Sequence, residues 1–99
     1  MSTLHVLSHS PFGDDRLTSC LRLIGANDGL LLTGDAVYAL QPGTAPLQAL
    51  QARGAGLRVL ALDEDVQARG LQVPEGVTAI DYPAFVELSI AYDKVNSWL

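Results

Sequence analysis

Residues 29–33 have the sequence GLLLT, a compact apolar run that stops before Gly34. An apolar run of this length without polar alternation is typical of a strand buried on both faces, as in parallel sheets. Further strands are predicted where short apolar or β-branched runs are bounded by turn residues. These runs are TLHVL at 3–7, LRVLAL at 57–62 and VTAI at 77–80.

The segments between these strands carry helix signals. An N-cap at Asp14 or Asp15 and a stop at Gly25 predict a first helix with apolar residues at helical spacing. Shorter helices are predicted at 35–40, around 47–52, and from a cap formed by the acids 63–65 to Gly70. Strands alternating with helices predict an α/β domain, with a small open, mostly parallel sheet and helices on both faces. The whole chain, 1–99, is expected to form this single domain.

The last predicted helix follows Pro83, a residue suited to a first helical turn. It carries two apolar stripes, although one sheet face needs only one. The first stripe holds Phe85, Leu88, Tyr92 and Val95, and the second holds Val86 and Ile90. Part of this helix is therefore expected to face a partner chain.

The formal net charge is −5, and all of the excess lies in the last two fifths of the chain. Residues 61–99 hold seven acidic residues against Arg69 and Lys94. A chain with this balance has no basic patch for phosphates, so direct nucleic-acid binding is not expected. An exposed acidic face would instead steer a basic partner. No apolar run is long enough for a signal peptide or a membrane span, which predicts a cytoplasmic protein without a membrane segment.

Cys20 is the only cysteine, which excludes an intrachain disulfide and a cysteine-based zinc site. Two interpretations of this thiol stay open. As the candidate catalytic residue, Cys20 would carry sulfur as a persulfide, since a helix N-terminus lowers the pKa of a nearby thiol. Alternatively, Cys20 shares the apolar face of the first helix and is a small buried hydrophobic residue.

Other polar clusters support no catalytic site. Ser8, His9 and Ser10 offer a nucleophile and a base, but no acid orients the histidine, and a hydrogen-bonded turn is expected there. The acids at 63–65 start a helix in different directions, which favours helix capping over metal binding. The scattered glycines form no phosphate-binding motif. No metal or other cofactor is predicted, and a free-standing enzyme is not expected.

The chain ends in two large apolar residues, Trp98 and Leu99. Such residues at a terminus tend to dock on the domain or on a neighbouring chain. Aromatic side chains are also enriched at interface hot spots. The sequence leaves intrachain packing and interface use equally open.

Five pieces of the sequence, in this order and spacing, resemble the TusB/DsrH family: LHVLSHSPF at 4–12, LLLTGDAVYA at 30–39, LRVLALDEDVQARGL at 57–71, IDYPAFVELS at 80–89 and the closing Trp98. The resemblance spans nearly the whole chain. No piece is a catalytic signature by itself, so the specificity comes from the combination.

This resemblance implies a DsrE-like subunit that assembles with TusC-like and TusD-like subunits into a heterohexamer, a dimer of heterotrimers. In the family, persulfide sulfur arrives through a TusA-like carrier and is held mainly on the TusD-like subunit. It leaves through a TusE-like carrier for 2-thiolation of the wobble uridine of tRNA. The TusB-like member has mainly a structural role, so a non-catalytic subunit is expected.

Three other interpretations stay open. DsrH proteins of DsrEFH complexes in dissimilatory sulfur oxidation carry a cysteine at the position matching Cys20, so this thiol would carry or relay sulfur there. A sulfurtransferase acting through Cys20 alone is the second interpretation. A phosphorylation-receiver switch at Asp14 and Asp15 is the third, with only the α/β pattern in its favour.

Overall fold

The computed structural model describes residues 1–98, except for the side chain of Ala55; the predicted docking of Leu99 lies outside the described residues. The strands are β1 (Thr3–Leu7), β2 (Gly29–Leu32), β3 (Arg58–Leu62), β4 (Val77–Ile80) and β5 (Lys94–Trp98). The α-helices are α1 (Arg16–Leu23), α2 (Ala45–Ala52), α3 (Asp63–Ala68) and α4 (Tyr82–Ala91). Short 3-10 helices cover Gly34–Leu40 and Gly54–Gly56.

All neighbouring strands pair in parallel, in the order β4-β3-β2-β1-β5. The predicted α/β class is therefore confirmed, as are the strands predicted at 3–7, 29–33, 57–62 and 77–80. The central strand β2 is buried along its whole length, as its apolar run predicts. This run has no polar side because both faces of the sheet are covered at its centre.

The helices cover the two faces of the sheet unequally. Each of β1, β2 and β3 is followed by a crossover to the adjacent strand, and right-handed crossovers place α1, α2 and α3 on one face. To the larger core on that face the helices contribute Leu17, Cys20, Leu50 and Val66. α4 joins the edge strands β4 and β5 and packs on the opposite face, on a smaller core around Leu31. The predicted helices on both faces are confirmed.

The prediction that the last helix continues to Val95 is wrong. α4 ends at Ala91, Tyr92 has an extended backbone, and Val95 lies in β5, paired with Leu4 of β1. Residues 88, 92 and 95 recur at helical spacing in the sequence, and this pattern hides the change to a strand. Pairing with β1 supplies backbone hydrogen bonds that exist only in the folded sheet.

Two shorter helices differ from their predictions in detail. Residues 35–40 are helical, but they belong to a 3-10 helix. The acids 63–65 form the first turn of α3, where carboxylates favour the positive end of the helix dipole. Their predicted place at the start of the helix is confirmed, but the N-cap position itself is Leu62, which makes no side-chain cap hydrogen bond, and the helix ends at Ala68 rather than at Gly70.

Gly29 is the first residue of β2, and the Tyr92 ring packs against it. A Cβ at Gly29 would lie 2.4 Å from Tyr92 Oη and 3.3 Å from Leu4 Cδ1. A side chain at this position would therefore displace the ring. Tyr92 Oη also accepts a hydrogen bond from Arg58 Nη1 at 3.4 Å. Tyr92 therefore covers part of this sheet face beyond the end of α4.

Candidate functional site

Cys20 lies in the middle of α1, with its side chain fully buried in the larger core. Burial raises the pKa of the thiol to about 11; the Asp28 carboxylate adds to the rise and Arg53 opposes it. The expected lowering of this pKa is wrong, because Cys20 lies a full turn inside the helix and away from water. The geometry matches a packing role, and the sulfur-carrier role stays a prediction that requires α1 to open.

We expect Cys20 to react slowly with thiol reagents in the folded protein. A rise of the pKa from 9.0 to about 11 leaves little thiolate at neutral pH, and burial also blocks access. Alkylation by iodoacetamide should be at least about 100-fold slower than in the urea-unfolded chain, as expected from that change in thiolate fraction. Mass spectrometry of quenched time points measures both rates. Equal rates in the two states would place the thiol at the surface.

The loop after β1 places His9 beyond the carboxyl end of the strand, as predicted. Ser8 Oγ and His9 Nδ1 are 3.5 Å apart, which is the outer limit of a hydrogen bond. Asp14 interacts electrostatically with His9, but its oxygens accept from the backbone N–H and the guanidinium of Arg16. Ser10 Oγ accepts from a backbone N–H two residues later. These contacts are those of a hydrogen-bonded turn, as predicted.

Polar residues of the pieces LLLTGDAVYA at 30–39 and LRVLALDEDVQARGL at 57–71 meet beyond the carboxyl ends of β2 and β3. Arg69 donates to Asp35 Oδ1 through Nε at 3.2 Å and Nη2 at 2.8 Å, and its guanidinium lies 5.8 Å from the Tyr38 ring centre. Asp65 Oδ2 accepts from the Gly34 N–H at 2.9 Å, and its backbone oxygen accepts from Arg69. This network connects the 3-10 helix after β2 to α3. A structural role therefore accounts for Asp35, Asp65 and Arg69.

A partly buried chain of polar side chains connects β1, β5 and the turn before β2. Trp98 Nε1 donates to His5 Nδ1 at 3.1 Å; an indole nitrogen can only donate, so the proton of the His5 ring sits on Nε2. His5 Nε2 faces Asp28 Oδ2 at 3.2 Å. The Asp28 carboxylate also accepts hydrogen bonds from the backbone N–H groups of Gly25 and Thr3. The bond from Gly25 is the main reason why the pKa of this carboxyl lies below its usual range. Trp98 thus packs within its own chain, as one of the two alternatives predicts, and its use at an interface stays a prediction.

α4 presents an apolar surface to solvent. Its residues Phe85 and Leu88 pack against the smaller core. Tyr82, Val86 and Ile90 are 56%, 43% and 79% exposed, and their four-residue spacing places them on one side of the helix. We call these three residues the α4 stripe. The predicted excess of apolar surface on the last helix is confirmed for Val86 and Ile90.

Acidic side chains near α3 do not converge. Asp63 Oδ2 accepts from Gln67 Nε2 at 2.7 Å, whereas Asp65 turns toward Gly34. Across residues 1–98 there is no group of three His, Cys, Asp or Glu side chains placed to share a metal ion. The same part of the chain contains no helix with the length and apolarity that crossing a membrane requires.

The link between His5, Asp28 and Trp98 is the feature that sequence reasoning misses. His5 and Trp98 are separated by 93 positions, and their strands become neighbours only in the sheet. One signal was available, because a histidine inside an apolar strand becomes buried and then needs a hydrogen-bond partner. The sequence does not reveal which residue that partner is.

Residues 9–95 match the family model described as DsrH like protein. Protein TusB of Erwinia tasmaniensis is 39% identical over 97 residues, which cover 96% of this chain and 99% of the relative. Protein TusB of Enterobacter sp. strain 638 is 38% identical over the same shares of both chains. The crystal structure of the ychN protein from E. coli matches with a TM-score of 0.78 at 23% identity, covering 99% of this chain and 100% of that chain.

The two kinds of similarity carry different conclusions. The likeness to the ychN protein, at 23% identity, shows that the predicted DsrE-like fold is correct. The family model and the TusB relatives cover nearly the whole chain at a much higher level of identity. The chain therefore belongs to the DsrH-like family of TusB-type sulfur-relay subunits.

Proposed function

We propose that this chain is an assembly subunit of a TusBCD-like sulfur relay in the cytoplasm. It binds TusC-like and TusD-like subunits in a dimer of heterotrimers. Persulfide sulfur passes through those partners, from a TusA-like to a TusE-like carrier, for 2-thiolation of the wobble uridine of tRNA. The chain itself touches no nucleic acid, in agreement with its formal net charge of −5.

The α4 stripe is the observation that carries this proposal. Exposed apolar side chains at Tyr82, Val86 and Ile90 lie on one side of α4, the helix that packs on the smaller core. Contiguous apolar surface of this kind is typical of protein interfaces. The single thiol, in contrast, is buried and has a raised pKa. An exposed apolar surface together with a buried thiol supports an assembly role more than a sulfur-carrier role.

The alternative is a DsrH-like subunit of a DsrEFH complex in dissimilatory sulfur oxidation. In that complex Cys20 carries or relays sulfur, and its presence in this chain is the observation in favour. Its burial is the observation against, because a persulfide carrier has to reach its donor and acceptor. The two proposals differ in whether tRNA thiolation depends on this gene and in whether Cys20 is needed.

The first test is the level of wobble 2-thiouridine in bulk tRNA after deletion of the gene, measured by mass spectrometry of digested nucleosides. We expect thiolation to be lost and then restored by the wild-type chain and by Cys20→Ala, which keeps a small apolar side chain in the core. Unchanged thiolation after deletion would contradict the tRNA role and favour sulfur oxidation. Rescue by wild type alone, with a soluble and folded Cys20→Ala variant, would assign a sulfur-handling role to Cys20.

Copurification with the partner subunits tests the α4 stripe. Ile90→Glu places a carboxylate in the stripe and should weaken copurification with the TusC-like and TusD-like subunits at least about tenfold, as at interface hot spots. Leu23→Glu is the matched control, because Leu23 is also an exposed apolar residue, 70% accessible, but lies on α1. Wild-type copurification of Ile90→Glu would remove α4 from the interface.

A further inference from the structure

A groove opens between the end of α2 and the first residues of β3 and β4, with a volume of about 420 Å³. We call it the β4 groove and define it by Leu47, Leu50, Leu57, Val59, Glu75 and Val77. We infer that it docks an extended, basic segment of a partner subunit, which pairs with the outer edge of β4. The groove belongs to the sheet face that carries α2, so it is a surface separate from the α4 stripe.

The floor of the β4 groove is apolar. Leu47, Leu50, Leu57 and Val59 form it, and each is buried. The mouth is wide because Gly54 and Gly76 bring no side chain, and only Gln51 and Glu75 contribute polar groups there. A cavity of this size takes one or two apolar side chains rather than a whole helix.

The sheet edge beside the groove is open. β4 is the last strand of the sheet on this side, and Thr78 and Ala79 in its middle are exposed. An unpaired edge strand is a template for a further strand. Side chains alternate across a strand, so a segment added along β4 would point every second side chain toward the face of Val77, which lines the groove. One added strand therefore uses both the open backbone edge and the apolar floor.

The charge at this edge selects a basic occupant. Glu75 is exposed beside the groove and forms no ion pair with any residue in 1–98. The arginines of this half of the chain are directed elsewhere. Arg69 donates to Asp35, Arg53 Nη1 to the Leu21 carbonyl at 2.6 Å and Arg58 Nη1 to the Tyr92 hydroxyl. Residues 70–93 contain acidic residues and no basic one. A lysine or arginine on the docking segment would complement Glu75.

A second copy of this chain fits the edge less well. Antiparallel pairing of two β4 strands would bring Glu75 of one copy near Asp81 of the other, and parallel pairing would bring the two Glu75 side chains together. Like charges placed opposite each other across a strand pair are destabilising. The occupant is therefore a different chain, and within the proposed function, on which this inference rests, it belongs to the TusC-like or TusD-like subunit.

The test uses the complex of the full chain with its TusC-like and TusD-like subunits. Gln51→Trp fills the groove from an exposed helix position, and Glu75→Lys reverses the charge at its mouth. Each should weaken binding at least about tenfold, and Glu75→Gln should reduce the salt dependence of binding. Glu64→Lys is the matched control, because it makes the same charge change at an exposed position on α3. Hydrogen exchange of residues 75–80 should slow on assembly.

The outcomes separate this inference from the proposed function. Failure of the wild-type chain to assemble overturns both. Normal assembly with wild-type affinity in Gln51→Trp and Glu75→Lys, and unchanged exchange at 75–80, overturns the β4 groove alone. Slowed exchange at 75–80 in the isolated chain at high concentration, with formation of a dimer, would make a second copy the occupant and overturn the inference too. If Glu75→Lys and Glu64→Lys lowered the affinity equally, the effect would come from net charge alone, and this result would count against the groove.

Discussion

Replacing Trp98 by alanine should lower the free energy of unfolding by about 3 kcal/mol, near the lower end of the range for large-to-small changes because the ring is only partly buried. Trp98 packs against the larger core from β5 and donates its indole N–H to His5. The substitution removes that packing and leaves Nδ1 of a buried histidine without its donor. A small domain has a total stability of about 5–15 kcal/mol, so the loss is a large share. Urea denaturation followed by circular dichroism measures it.

Two variants separate the contributions of Trp98. Trp98→Phe keeps a smaller aromatic ring and removes the N–H donor, so it should cost about 1 kcal/mol for the hydrogen bond and less in total than Trp98→Ala. Tyr82→Ala removes another aromatic ring, but one that is 56% exposed on α4, and should cost less than Trp98→Ala. If Trp98→Ala unfolds at the same urea concentration as the wild type, β5 does not contribute the packing described here.

Asp28→Ala is expected to lower the free energy of unfolding by about 2–3 kcal/mol, because hydrogen bonds to a charged acceptor contribute more than neutral ones. The carboxylate accepts from the backbone N–H groups of Thr3 and Gly25 and from His5, and it joins β1 to the turn before β2. Asp15→Ala is the matched control, since Asp15 is exposed and its side chain makes no cap hydrogen bond. A cost within about 0.5 kcal/mol is expected for the control.

The contribution of Asp28 should also depend on pH. Its folded-state pKa lies below the ordinary value of 3.8, chiefly because the Gly25 N–H stabilises the charged form. The unfolded chain therefore binds this proton at a higher pH than the folded one, and the stabilisation is complete above the unfolded pKa. It is lost as the pH falls through the folded pKa. The stability difference between the wild type and Asp28→Asn should narrow below about pH 4. A constant difference down to acid-induced unfolding would contradict this assignment.

The strands and most helices follow from local patterns in the sequence. GLLLT at 29–33 is apolar on both sides, which is typical of a central strand in a parallel sheet covered on both faces. Asp15 at the start of α1 and Pro83 in the first turn of α4 are typical helix-start signals, and both lie where expected. These signals act between residues a few positions apart, so they are visible before folding.

The candidate site was only partly predictable. Two residues of the α4 stripe, Val86 and Ile90, were predictable because the helix has more apolar residues than one sheet face needs; the exposure of Tyr82 was not predicted. The burial of Cys20 was one of two open alternatives, because a helical face in the sequence does not reveal how deeply its helix packs. The network of Asp35, Tyr38, Asp65 and Arg69 was visible as a set of patterns, but not as a set of contacts.

Local patterning thus specifies the α/β class, the predicted strands and the approximate helices of this chain, whereas its family was predicted from the resemblance of five pieces of the sequence. The tertiary structure alone decides that residues 94–98 form β5, that Trp98 donates to His5, and that a groove opens beside β4. The reason is physical. Hydrogen bonds and packing at an edge strand come from a neighbour that lies about ninety residues away in the chain, and no local period encodes that neighbour.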